Sequence, residues 1–218
     1  MSALQPEIET ARWYEDKVRR FGYDHRGLGF RNRTSQEKRF AALLLLGDFH
    51  GRRLLDVGCG FGDFLPFLLE RGIQPIYTGL DLCEPMVARG RERHAPESRF
   101  VVADALDYEP DEPYDYVVAS GIFGLEAPGA RERIHPTVAR MFEWAGVGMA
   151  VNFLSRRSPT PAEARVYLDP SEMLALGLSL TPAVRLDHTY LPNDFTLHLY
   201  KKPAWEGELE RGRHETSI

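Results

Sequence analysis

Three glycines at alternate positions are the residues of this chain with the most direct chemical meaning. Gly58, Gly60 and Gly62 follow the apolar run Leu54-Leu55-Asp56-Val57 and precede a stretch with helical periodicity. Glycine accepts positive φ and has no Cβ, so a ligand can approach the backbone closely at such a turn. In a doubly wound sheet this turn lies at the carboxyl ends of the strands, where ligands bind. The motif therefore predicts a cofactor site.

The spacing of the glycines separates two classes of cofactor. A dinucleotide fingerprint, GxGxxG, would place its third glycine at position 63, where this chain has Asp63. An acid close to the turn and to the start of the next helix would repel a pyrophosphate. A cofactor that carries an ammonium and a sulfonium but no phosphate is not repelled. The spacing therefore favours such a cofactor over a nicotinamide dinucleotide.

Carboxylates follow the next two predicted strands. Asp81 ends the second strand, roughly 20 residues after the glycine turn, where a carboxylate can accept hydrogen bonds from both hydroxyls of a ribose. Asp104, which precedes Ala105 at the end of the third strand, could accept a hydrogen bond from an adenine amino group. The fourth strand ends in Ser120-Gly121. This series agrees with an adenosine-containing ligand.

These four motifs, in this order, resemble those of the class I S-adenosylmethionine-dependent methyltransferases, of the small-molecule type found in bacteria, over about residues 53–201. The resemblance implies a Rossmann-like fold, S-adenosyl-L-methionine as cofactor, and methyl transfer to O or N of a small-molecule acceptor. It also implies that Gly58 and Gly60 pack against the methionine portion. By the same resemblance, Asp81 holds the ribose and Asp104 faces the adenine.

Other residues near these motifs have both a functional and a structural interpretation. Asp56 could hydrogen-bond the turn or act as a base, and Cys59 could simply fill space. Leu82 and Met86 could flank the adenine or only pack, and Ser120 could contact the cofactor or serve the backbone. The expected cofactor-binding residues are Asp56, Gly58, Cys59, Gly60, Asp81, Leu82, Met86, Asp104, Ala105, Ser120, Arg31 and Gln36.

The segment before the first strand is expected to close the site. Arg31 and Gln36 could hold the cofactor's carboxylate, since Arg forms bidentate pairs with that group; alternatively, the segment only caps the core. Methyl transfer is an in-line displacement that needs alignment and exclusion of water, and a general base helps when the acceptor is a hydroxyl or a protonated amine. We expect His188 or His25 to be that base. The expected substrate contacts are Tyr14, Tyr23, Asn152 and Tyr190.

The elements that must position these residues alternate along the chain. Short Val/Leu/Ile-rich runs alternate with longer amphipathic stretches, as in a parallel sheet covered on both faces. Strands are predicted at 53–57, 76–81, 99–103, 114–120, 146–154, 183–191 and 195–201, and helices at 7–20, 35–47, 63–71, 85–94, 131–144 and 171–176. Pro192-Asn193-Asp194 should join the last two strands in a hairpin.

The predicted fold class is therefore α/β. We expect a seven-stranded, mostly parallel, doubly wound sheet with a terminal antiparallel hairpin, helices on both faces and an N-terminal helical cap. Residues 1–50 should form the cap and contribute to the cofactor and substrate pocket. Residues 51–203 should form the Rossmann-like core, and residues 204–218 a polar tail.

Composition narrows the classes of function. The chain has 218 residues and a net charge of −5, which argues against a broad nucleic-acid-binding face. Its longest apolar run, at 40–47, is far shorter than the roughly 20 residues that cross a bilayer. Neither the two cysteines nor the seven histidines have the spacing of metal ligands.

We therefore expect a cytoplasmic monomer or homodimer with a small-molecule substrate, no nucleic-acid or membrane partner and no metal. The main alternative is a module that keeps the same fold and binds S-adenosyl-L-methionine without transferring its methyl group, as a regulator or partner subunit. A third possibility, an RNA or protein methyltransferase, would require a basic or peptide-accommodating surface.

Overall fold

The predicted apolar runs form a single sheet in a computed structural model that describes residues 6–24, 32–94, 96 and 98–203, and only the backbone of residues 6–8. The strands are β1 (Arg53–Val57), β2 (Ile76–Asp81), β3 (Ser98–Val102), β4 (Tyr114–Ala119), β5 (Ala145–Leu154), β6 (Val184–Leu191) and β7 (Asp194–Tyr200). Their order in the sheet is β3-β2-β1-β4-β5-β7-β6. This architecture confirms the predicted fold class.

The order in which strands are added to the sheet reverses at β1. Strands β2 and β3 lie on one side of β1, and β4 and β5 lie on the other, all in parallel pairs. Strand β7 lies between β5 and β6 and is antiparallel to both, because the short Pro192-Asn193 turn sends the chain straight back along β6. The turn after β1 therefore lies at the topological switch point, where ligands bind in open α/β sheets.

Helices cover both faces of the sheet. They are α1 (Pro6–Phe21), α2 (Arg33–Leu43), α3 (Phe64–Leu69), α4 (Glu84–His94), α5 (Ile134–Trp144) and α6 (Pro170–Leu180). Helix α6 extends beyond the predicted 171–176; it begins where Asp169 accepts a hydrogen bond from the Ser171 N–H and Pro170 occupies the first turn. Within the described ranges, every helix is too short or too polar to span a bilayer.

The core is divided by the sheet into two apolar layers. Adjacent residues of a strand point to opposite faces, so Leu54 packs with the layer that contains α2 and α3, while Leu55 packs with the layer that contains α5. Val118 and Val117 of β4 repeat the same division. Burial on both faces explains why the parallel strands read as continuous apolar runs rather than alternating ones.

Candidate functional site

A cavity of about 760 Å³ lies along the carboxyl ends of the parallel strands. Its wall follows the order of the strands, from Asp104 after β3, past Asp81 of β2 and Gly58 after β1, to Ser120 after β4 and Asn152 of β5. Sites for small molecules and cofactors are usually pockets of roughly 300–1,000 Å³. The cavity is therefore large enough for a cofactor and a second small molecule together.

The glycine turn forms the centre of this wall. Gly58 and Gly60 have φ values of +69° and +55°, which strongly favour glycine. The N–H groups of Gly58 and Cys59 both donate to the carbonyl of Leu80, at 2.7 and 3.0 Å. A Cβ added at Gly58 would lie 2.0 Å from Cγ2 of Ile122, so even alanine does not fit without movement of the chain. The cavity is thus bordered by bare backbone at this point.

Asp81 connects the glycine turn to the start of α4. Its Oδ2 accepts a hydrogen bond from the Gly60 N–H and its Oδ1 accepts one from the Cys83 N–H, each at 2.8 Å. Burial raises the pKa of Asp81, while the hydrogen bonds from the backbone oppose this effect. Each carboxylate oxygen can accept two hydrogen bonds, so the side chain could still bind a pair of hydroxyls from the cavity.

Asp104 forms an ion pair that sequence reasoning missed. Its Oδ2 contacts Nη2 of Arg133, just before α5, and its Oδ1 accepts a hydrogen bond from the Leu106 N–H at 2.7 Å. Both Asp104 and Arg133 line the cavity. Arg133 therefore neutralises the charge of Asp104 at this end of the site. The two residues are 29 positions apart, so no local sequence pattern indicated that they form a pair.

Three of the expected cofactor residues lie behind the turn rather than on the cavity. Asp56, Cys59 and Gln36 surround a small void of about 20 Å³, which Ser120 shares with the large cavity. A polar void of this size can hold one water molecule. Among the described residues, the buried Oγ of Ser120 has no hydrogen-bond partner. This arrangement matches the structural alternative for Asp56 and Cys59, as supports of the turn.

Asp56 has an unusual titration because it is almost completely buried. Its Oδ2 accepts a hydrogen bond from the Tyr77 hydroxyl at 2.6 Å, and burial raises the pKa of Asp56 from 3.8 to about 7. Between these values the folded chain holds the proton more tightly than the unfolded chain does. The contribution of Asp56 to stability therefore decreases as the pH rises from about 4 to about 7.

The Asp56→Asn variant tests this titration, because an amide stays uncharged and can still accept the Tyr77 hydrogen bond. The wild-type protein loses stability as Asp56 ionises, and the variant does not. The free energy of unfolding of the variant minus that of the wild-type protein should therefore be about 2 kcal/mol larger at pH 8 than at pH 5. Urea unfolding of both proteins at the two pH values measures the difference. Equal pH dependence in the two proteins would contradict the assignment.

Tyr14 of α1, an expected substrate contact, lines the cavity. Burial raises the pKa of Tyr14 to about 12, against a lowering effect of Arg165 and with a further increase from Asp81. The hydroxyl therefore stays protonated at neutral pH. The guanidinium of Arg165, in the segment between β5 and α6, lies over the Trp13 ring at 5.6 Å from its centroid. This contact joins α1 to that segment across the mouth of the site.

Tyr23 and Gln36 converge on Asp63 instead of on the cavity. The Tyr23 hydroxyl donates to Oδ1 of Asp63, and Nε2 of Gln36 donates to Oδ2 at 3.2 Å. The Tyr23 ring packs against Phe61, and the Arg93 guanidinium lies 3.7 Å from the ring centroid. The acid that distinguishes this turn from a dinucleotide fingerprint therefore anchors the residues before and within α2.

Of the two histidines predicted as bases, only His188 belongs to the residues that the structure describes. His25 lies outside the described residues, as does Arg31. His188 of β6 packs edge-on against Phe195, with ring centroids 6.1 Å apart, and does not line the cavity. In the described part of the chain, none of the lining residues is a histidine. The structure thus offers no support for His188 as a base.

Asn152 and Tyr190 belong to one hydrogen-bonded chain. Nδ2 of Asn152 donates to Oγ1 of Thr196 at 2.8 Å, and this hydroxyl donates to the Tyr190 hydroxyl at 2.9 Å. Asn152 lines the cavity and Tyr190 does not. Burial raises the pKa of Tyr190. Of this pair, only Asn152 is placed where a substrate could touch it, and Tyr190 supports it from behind.

A buried ion pair forms the wall beyond Asn152 and was not predicted. Nε and Nη2 of Arg39, in α2, donate to Oδ1 and Oδ2 of Asp194, in β7, at 2.7 and 2.8 Å. Both side chains line the cavity, with 10% and 2% of their surfaces exposed. Such bidentate pairs have a fixed geometry, so Arg39 holds the first residue of β7 in place.

The described residues also lack the usual arrangement of metal ligands. In residues 6–24, 32–94, 96 and 98–203, no three His, Cys, Asp or Glu side chains are grouped as metal ligands would be. Both cysteines, Cys59 and Cys83, are free and buried.

Comparison with known proteins relates this cavity to a chemical class. Residues 54–146 match the profile of a family described as "Methyltransferase domain". The chain is 29% identical over 155 residues to the putative methyltransferase Rv1506c of Mycobacterium tuberculosis, which covers 67% of this chain and 91% of that protein. It is 26% identical over 164 residues to a trans-aconitate 2-methyltransferase of Delftia acidovorans, covering 74% of this chain and 59% of the relative.

Solved structures share the fold at lower sequence identity. The magnesium protoporphyrin IX methyltransferase from Synechocystis PCC 6803 with bound SAM superposes with a TM-score of 0.67. The alignment has 15% identity and covers 93% of this chain and all of that one. The chain therefore shares its fold with a methyltransferase whose structure holds SAM.

Proposed function

Because the chain is a class I S-adenosyl-L-methionine-dependent methyltransferase of the small-molecule type, we propose that it transfers the methyl group to an oxygen or nitrogen atom of its acceptor. The observation that carries this proposal is the extent of the cavity. It begins at the residues suited to adenosine and continues past β4 to residues of β5 and β7.

The half of the cavity beside β3, β2 and β1 fits the cofactor. The methionine portion would lie against the backbone of Gly58 and Gly60, beside Ile122, whose side chain a Cβ at Gly58 would displace. Asp81 would accept hydrogen bonds from the ribose hydroxyls, and Asp104, positioned by Arg133, would face the adenine. Leu82, Met86 and Ala105 line the same half and would flank the adenosine.

The half beside β4, β5 and β7 would hold the acceptor. Phe123 and Leu154 give it apolar surface, while Asn152 and the Arg39–Asp194 pair give it polar groups at one end. Tyr14 closes the site from α1 and, being protonated at neutral pH, can donate a hydrogen bond but cannot accept a proton. These residues would orient the acceptor and exclude water, which are the main requirements of an in-line displacement.

Two kinds of acceptor atom remain within this proposal. One relative is a trans-aconitate 2-methyltransferase, which suggests a carboxylate oxygen. A hydroxyl or amine is the other candidate, and His25 stays a prediction for the base that such an acceptor could use. In either case the bond between methyl carbon and acceptor forms as the carbon–sulfur bond breaks, with its electron pair left on sulfur.

The proposal is tested with the purified 218-residue chain. S-adenosylhomocysteine binding is measured first by calorimetry, and the protein is then incubated with methyl-tritiated S-adenosyl-L-methionine and a panel of alcohols, phenols, amines and carboxylic acids. We expect label to move from the cofactor to at least one acceptor. Cofactor binding without any transfer would contradict the proposal and favour the alternative of a non-catalytic binding module.

A further inference from the structure

The end of the acceptor half is a wall of buried polar groups from three elements. Because β7 runs antiparallel to β5, its first residue lies beside the last residues of β5: Asp194 pairs with Leu154, and Thr196 with Asn152. Arg39 of α2 covers this corner of the sheet. Asn152, Asp194 and Arg39 all line the cavity, and each is buried.

The hydrogen bonds of Asp194 leave acceptor capacity in this wall. Its Oδ1 accepts from Nε of Arg39, and its Oδ2 accepts from Nη2 of Arg39 and from Nδ2 of Asn193, the last at 2.6 Å. A carboxylate oxygen can accept two hydrogen bonds, so Oδ1 can take a second one. At the same time, these donors of Arg39 and Asn193 are directed to Asp194 rather than to a ligand.

Asn152 adds a second acceptor. Its Nδ2 donates to Oγ1 of Thr196 at 2.8 Å and lies 3.5 Å from the carbonyl oxygen of Arg39. A carbonyl can only accept, so this neighbour fixes which end of the amide carries the hydrogens. The Oδ1 atom of Asn152 is buried and has no partner among the described residues. A buried acceptor in this state favours a ligand that brings a hydrogen-bond donor.

We propose that the acceptor presents an O–H or N–H group to Asn152 and Asp194, so that the methylated atom belongs to a hydroxyl or an amine and not to a carboxylate. This inference rests on the function proposed above and narrows its substrate class. A carboxylate brings only lone pairs and a negative charge, which would oppose both Oδ1 of Asn152 and the Asp194 carboxylate. The hydroxyl oxygen or the neutral amine nitrogen attacks through a lone pair, and the proton of the methylated group is released to solvent after the carbon–sulfur bond has broken.

The chemical stability of the labelled product tests this inference in the wild-type protein. Methyl esters release volatile methanol in alkali, whereas methyl ethers and methylamines do not. With the panel of alcohols, phenols, amines and carboxylic acids, trans-aconitate included, we expect alkali-stable label from hydroxyl or amine acceptors. Labelled methanol from a carboxylate product would overturn the inference and leave methyl transfer to oxygen intact. No transfer to any acceptor would contradict the proposed function itself, and the inference with it.

A pair of variants tests Asn152 directly. Asn152→Leu removes the acceptor oxygen at similar volume, and we expect it to raise the KM for the acceptor at least about 10-fold. Asn152→Ser keeps an oxygen and should raise the KM less. The affinity for S-adenosylhomocysteine should stay unchanged in both, because β4 separates β5 from β1. An unchanged KM in Asn152→Leu, with cofactor affinity intact, would contradict the role of Asn152.

Discussion

Gly58→Ala is expected to weaken binding of S-adenosylhomocysteine by about 10- to 100-fold. The added Cβ would lie 2.0 Å from Cγ2 of Ile122, which itself lines the cavity. Relief of this contact must push Ile122 toward the ligand or open the turn that Asp81 holds through Gly60. Overpacking of this kind costs about 1–3 kcal/mol, and here the cost reduces the free energy of cofactor binding. Isothermal titration calorimetry measures the change in affinity.

Gly51→Ala is the matched control for this variant. Gly51 has a φ of +67°, close to that of Gly58, but a Cβ there would meet no atom within 4 Å. Both variants therefore share the backbone strain of alanine at positive φ, roughly 1 kcal/mol, and should show a similar loss of thermal stability from it. Only Gly58→Ala should lose cofactor affinity. Equal affinity in the two variants would contradict the placement of the cofactor against the glycine turn.

The sheet could be predicted from the sequence because its signals are local. The boundaries of β1 and β2 agree with the prediction, and each end of the other strands lies within one residue of its predicted position. Apolar runs buried on both faces, separated by glycine and proline, leave few alternatives for a chain of this length. The hairpin followed from its turn residues, Pro192 and Asn193. For the same reason the glycine turn, Asp81 and Asp104 could be assigned to one edge of the sheet before their contacts were known.

The contacts across the site could not be predicted in the same way, because they join residues far apart in the sequence. Nothing near Arg39 indicates that its partner is Asp194, and Asp104 gives no local sign of Arg133. Tyr23 and Gln36 were expected at the ligand, yet both bind Asp63. The sequence indicates the acid at position 63 only as unfavourable to pyrophosphate. Its role as an anchor depends on the position of α2, which only tertiary packing determines.

Arg39→Met is expected to lower the free energy of unfolding by about 3–5 kcal/mol at pH 8. Methionine keeps much of the volume but leaves the Asp194 carboxylate, which is 1% exposed, without its cation. The charge is then buried against Asn152 and the apolar wall of the cavity, where water cannot reach it well. Urea unfolding of the variant and the wild-type protein measures the loss.

An exposed ion pair is the control that separates this electrostatic effect from a general effect of losing an arginine. Arg89→Met breaks the pair of Arg89 with Glu92, whose side chains are 55% and 64% exposed, and should cost less than about 1 kcal/mol at pH 8. If Arg39→Met cost no more than Arg89→Met, the buried pair would have no special role in holding β7.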